Sequence, residues 1–82
     1  MITIYTTKYC PFCRRAVDTL VQLGVSFYLI DVSDNPEARA VLTQRTGSKT
    51  VPQIFVKDQF IGGCSDLDEL LEKGKFMELL KD

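Results

Sequence analysis

The chain of 82 residues carries ten basic and eleven acidic side chains and is 45% hydrophobic, which suits one globular domain, 1–82, with a modest core. A net charge of −1 offers no basic excess for a phosphate backbone, which excludes nucleic acid as a main partner. The chain has no histidine, so it lacks the commonest transition-metal ligand and general base, and no apolar run approaches the roughly 18 residues that cross a membrane.

In chain order, "MITIYTTK" has no charged start followed by an apolar stretch, so a cytoplasmic, reducing setting is expected. There, cysteine pairs are more often catalytic or metal-binding than structural. Apolar and polar residues alternate through "ITIYT", residues 2–6, and predict a strand. Cys13, Ala16, Val17, Leu20 and Val21 follow helical spacing and predict a helix closed by Gly24. "SFYLIDV", residues 26–32, is the second predicted strand. "SDNP", residues 33–36, supplies N-cap candidates and a first-turn proline for a second helix. Ala38, Val41 and Leu42 give that helix a narrow apolar face, and Gly47 stops it.

"PQIFV", residues 52–56, and "FIGG", residues 60–63, flank "KDQ" and predict a hairpin. "SDLDELLEKG" begins with Ser65 as an N-cap and Asp68 three residues on, a capping-box pattern. Leu67, Leu70 and Leu71 should face inward, Gly74 should end the helix, and "KFMELLKD" should add one helical turn or two. The order β-α-β-α-β-β-α predicts an α/β fold, a four-stranded mixed sheet flanked by helices. Its first two strands should be parallel and no apolar face should be left exposed.

Cys10 and Cys13 enclose Pro11 and Phe12 in "CPFC". A structural zinc site takes four protein ligands, and only Cys64 remains as a further thiol, so no metal is expected. A disulfide staple across so short a loop constrains little, because loop-closure entropy grows with length. Redox chemistry is the reading that remains. Pro11 suits the first turn of a helix, which puts Cys10 at its N-terminus, where unpaired N–H groups and the helix dipole favour a thiolate. Lys8 adds positive charge nearby. Cys10 is therefore the expected nucleophile. Cys13, aligned with Ala16 and Val17 on the apolar face, is the expected resolving thiol. Arg14 and Arg15 read as solvating the outer face.

Three segments, "CPFC" at 10–13, "TVPQIF" at 50–55 and "GGCSDL" at 62–67, give the chain a resemblance to the glutaredoxins, of the short bacterial dithiol kind. The resemblance implies a thioredoxin fold with a glutathione groove. It implies a cis bond at Pro52 that leaves the Val51 backbone free to pair with glutathione as an added strand. Thr50 and Lys49 would border the groove, as would the ring of Phe12, where many members carry tyrosine. Gly63, Cys64, Ser65 and Asp66 would hold the γ-glutamyl end, with backbone N–H groups on its carboxylate and the Asp66 side chain on its ammonium group. Lys8 and Arg39 would approach the glycine carboxylate, although many relatives have glutamine at the Arg39 position. Cys64 would act through its backbone, with a regulatory or intermolecular disulfide as the alternative.

The implied activity is glutathione-dependent thiol–disulfide oxidoreduction by the Cys10/Cys13 pair. Glutathione would be a co-substrate, no cofactor would be tightly bound, and a monomer would act on glutathionylated or disulfide-containing proteins. Two alternatives stand beside it. One is an iron–sulfur module that holds a [2Fe–2S] cluster with Cys10 and glutathione. The proline of "CPFC" speaks against that, since cluster carriers of this family more often have "CGFS". The other is a thioredoxin-like donor served by a flavoprotein reductase, against which "TVP" and "GGCSD" speak.

Overall fold

The alternating N-terminal stretch forms strand β1 (Ile2–Thr6), and in the computed structural model, which describes residues 1–81, it runs through the interior of the sheet. After it come α1 (Pro11–Leu23), β2 (Phe27–Asp31), α2 (Pro36–Thr46), β3 (Gln53–Val56), β4 (Gln59–Gly62), α3 (Cys64–Glu72) and α4 (Phe76–Leu79). The sheet order is β2-β1-β3-β4; β1 is parallel to β2 and antiparallel to β3, which is antiparallel to β4. The expected four-stranded mixed sheet flanked by helices is therefore present, and α4 is the extra helical turn. Asp82, the last residue of "KFMELLKD", lies outside the described residues.

Register decides where the core sits. Ile2 opposes Val56 and Ile4 opposes Ile54, so all four side chains share one face of the sheet. Ala16 and Leu20 of α1, Leu67 of α3 and Phe76 of α4 close over them, each fully buried. Burying each of the larger of these side chains contributes roughly 1.5–3 kcal/mol. On the opposite face Tyr5 meets Phe55 edge-on at 5.6 Å, and the Arg45 guanidinium of α2 lies 5.1 Å over the Phe55 ring.

Several boundaries and faces differ from expectation. Strand β2 lies at the sheet edge, and Tyr28, Leu29 and Ile30 remain exposed, so the sheet does carry open apolar surface. Val21 is exposed because, at about 100° per residue, it stands roughly 80° round the helix from Cys13. Val41 is exposed as well, and Leu42 is the buried anchor of α2. The hairpin turn is only Lys57–Asp58, both with positive φ (50° and 69°), so Gln59 already belongs to β4. Helix α3 begins at Cys64 with Gly63 as its N-cap and Asp66 at N3, in place of Ser65 and Asp68.

Candidate active site

The start of α1 is built around a sulfur. Cys10 has extended backbone (φ −106°) and is the N-cap, and its Sγ accepts the Cys13 N–H at 3.3 Å. Pro11 takes the first helical position, where a missing N–H costs nothing. The partly exposed Cys10 thiol also points at the Val51 carbonyl, 3.8 Å away. Cys13 lies one turn deeper and is only 3% exposed. Burial first, then its hydrogen bond with Cys10, pushes the Cys13 thiol from 9.0 up to about 12, while the Thr7 backbone pulls the other way. The two thiols of one motif thus occupy opposite settings.

Val51, joined to Pro52 by a cis peptide bond, forms one wall of a groove of about 660 Å³. Thr50 and Pro52 continue that wall, Gly63, Cys64, Ser65 and Asp66 form the other, and Phe12 lines the groove from α1. Eight of the ten expected binding positions therefore meet in one place. Lys8 and Arg39 do not line it. The Lys8 ammonium lies 3.4 Å from the Asp34 carboxylate, and its backbone N–H donates to Ser33 Oγ at 2.6 Å. Ser33 in turn donates its N–H to the Asp31 carboxylate at 2.8 Å, and Ser33's hydrogen bonds hold that carboxyl below its ordinary value. Lys8 thus ties the loop ahead of Cys10 to the loop after β2. Arg39 donates to the Lys49 carbonyl at 3.3 Å.

The far wall depends on two glycines. Gly62 has φ +117°, and a side chain there would collide with the Asp66 carboxylate. Asp66 can therefore fold back and accept the Gly63 N–H at 2.9 Å, which closes the helix start. The first-turn N–H groups of α3 open at this wall. Cys64 is 5% exposed and belongs to the core; burial, then the Asp68 carboxylate, raises its thiol above the ordinary value.

Sequence reasoning missed three contributors. Gln53 is buried and donates to the carbonyls of Ser48 (2.8 Å) and Thr50 (3.1 Å), so it props up the near wall from behind. A glutamine inside the apolar run "PQIFV" was the signal for it. Arg15, expected only to solvate α1, reaches Asp68 of α3 at 3.0 Å, and this pair also lines the groove. Gly62 was visible in the "GG" doublet, but its positive φ was not.

Comparison with known proteins agrees with this geometry. The glutaredoxin family model matches residues 2–61. The chain is 46% identical over 79 residues to a glutaredoxin of Pseudomonas aeruginosa, covering 96% of this chain and 94% of that protein. It is 44% identical over 80 residues to Glutaredoxin 3 of Escherichia coli, covering 98% and 96%. Among solved structures, glutaredoxin from Brucella melitensis superimposes with a TM-score of 0.87 at 45% identity, covering 98% of this chain and 87% of that one. A buckwheat glutaredoxin–glutathione complex gives a TM-score of 0.91 at 33% identity, covering 96% and 74%. A redox-suited cysteine pair at a helix start, set beside a peptide-sized groove on this sheet, together with these likenesses, establishes that the chain belongs to the glutaredoxin family, with the thioredoxin fold and the activity of a thiol–disulfide oxidoreductase.

Proposed function

We propose that this oxidoreductase runs on glutathione and removes it from glutathionylated thiols. The observation that carries the reading is the junction of groove and thiol: the Val51 carbonyl is at once part of the groove wall and 3.8 Å from Cys10 Sγ. A glutathione laid along Val51 brings its sulfur to Cys10, with its γ-glutamyl end at Ser65 and Asp66 on the opposite wall. The likeness to a relative solved as a glutathione complex supports the same placement.

In the proposed cycle the Cys10 thiolate attacks the glutathione sulfur of a mixed disulfide. The substrate leaves as a thiolate and takes up a proton. A second glutathione thiolate then attacks the glutathione sulfur on Cys10, releasing glutathione disulfide and restoring Cys10. With a protein disulfide, Cys10 instead forms a mixed disulfide with the protein. Cys13, as thiolate, attacks Cys10 Sγ and frees the second substrate thiol, and two glutathiones later reduce the Cys10–Cys13 disulfide. The raised Cys13 thiol suits this order. It cannot compete as the first nucleophile, and once Cys10 is capped it loses both the Cys10 hydrogen bond and the Cys10 charge that helped to raise it. Cys64, buried in the core, contributes packing and backbone to the wall.

The test is a coupled assay with glutathione, glutathione reductase and NADPH on glutathionylated β-mercaptoethanol. NADPH consumption that depends on both the protein and glutathione is expected. Turnover supported by dithiothreitol but not by glutathione would overturn the reading.

A further inference from the structure

A second depression, of about 640 Å³, shares no lining residue with the groove, yet both Cys10 and Cys13 line it. Its apolar side is made by Leu29 of β2, Val17 of α1 and the ring of Tyr9. Tyr9 stands immediately ahead of Cys10 in the left-handed region (φ 62°) and is 100% exposed, while Leu29 is 51% exposed. Folding leaves this apolar area open beside the reactive thiol, where open apolar area marks a binding surface. Arg14 and Asp18, one turn apart on α1, edge the depression with opposite charges, so neither an anion nor a cation is selected. Glutathione, with two carboxylates, an ammonium group and no apolar side chain, has nothing to match such a surface.

We infer that this depression takes an apolar side chain adjacent to the reactive cysteine of a protein disulfide substrate. The occupant follows from continuity with the site. A polypeptide whose sulfur reaches Cys10 must run on over the surface on both sides of it. On one side it meets the Val51 carbonyl, and on the other it meets Tyr9 and Leu29. Aromatic and aliphatic anchors in a concavity with a polar edge are the usual means of holding such a side chain. The inference rests on the oxidoreductase reading and names its substrate preference: apolar residues flanking the target cysteine.

Two disulfide-linked peptides, identical except for leucine or serine beside the cysteine, test it, with glutathionylated β-mercaptoethanol as a third substrate. The native protein should prefer the leucine peptide by about fivefold in kcat/KM, the scale of one partly buried aliphatic side chain. Leu29→Lys should erase that preference and leave turnover of the small mixed disulfide within about twofold, while Leu29→Met should keep both. No preference in the native protein, or an equal fall for all three substrates in Leu29→Lys, would overturn the inference. The peptides are also run with dithiothreitol as the reductant, so the preference is read even if the glutathione reading fails.

Discussion

The outer end of α1 and its inner face hold the same functional group three residues apart and make different chemistry of it. Cys10, at the outer end, is partly exposed, receives an N–H from Cys13 and points at the Val51 carbonyl beside the groove. Cys13, on the inner face with Ala16 and Leu20, is buried, and its thiol is pushed up to about 12. The lesson is positional. A helix start supplies N–H groups and access, whereas one turn further in the same residue meets the core and keeps its proton. The proposed cycle uses both settings, one thiol to begin and one to finish.

The largest expected effect is on the outer thiol. Cys10→Ser should drop both deglutathionylation and protein-disulfide reduction to the uncatalysed background, because the one accessible thiol of the site is gone. Residual activity above background, traced by mass spectrometry to an adduct on Cys13 or Cys64, would erase the contrast. Next comes alkylation. With iodoacetamide at pH 7.5, Cys10 should be labelled at least about tenfold faster than Cys13 or Cys64, both buried with raised thiols. Peptide mapping over time reads this directly, and comparable rates would break the comparison.

A smaller effect sharpens what the outer thiol faces. Asp66→Asn keeps an oxygen for the Gly63 N–H but removes the charge proposed to meet the glutathione ammonium. The apparent KM for glutathione should rise about fivefold or less, as for an exposed ion pair worth roughly 0–1 kcal/mol, with the melting temperature unchanged. An unchanged KM would take Asp66 out of the binding site.

The effect on the inner thiol is read as stability, away from the reaction. Folded Cys13 keeps its proton up to about 12, whereas in the unfolded chain a cysteine titrates near the ordinary 9.0. Between these values the unfolded state binds fewer protons, so stability is whole below pH 9 and falls as pH rises toward 12. The melting temperature should therefore decline from pH 9 to pH 11, and decline less in Cys13→Ala. An identical decline in the two proteins would mean that Cys13 is not the buried titrating group.

Much of this was legible in the chain. Period-2 and period-3.6 patterning located β1 and α1, which bury one face each, while β-rich runs, caps and turn residues located the other elements. Pro11 and the helical spacing from Cys13 placed Cys10 at the helix start. What escaped depended on tertiary neighbours. "SFYLIDV" reads as a strand, but nothing in it says that β2 takes the sheet edge and leaves Tyr28, Leu29 and Ile30 open. Ser65 is as good an N-cap by composition as any residue in "GGCSDL". The helix starts earlier because Gly62, at φ +117°, brings Gly63 under the Asp66 carboxylate. Lys8 and Arg39 were placed by resemblance toward the groove. In this structure Lys8 meets Asp34 and Arg39 meets the Lys49 carbonyl, partners that lie 26 and 10 residues away in sequence.

The division of labour between the two thiols is tested most directly by Cys13→Ser assayed on two substrates side by side, glutathionylated β-mercaptoethanol and a disulfide-bridged protein. The account predicts that the variant turns over the glutathionylated substrate within about threefold of the native rate, since Cys10 and the groove are intact, and loses most protein-disulfide reduction for want of a resolving thiol. Equal loss on both substrates, or equal retention, would contradict it.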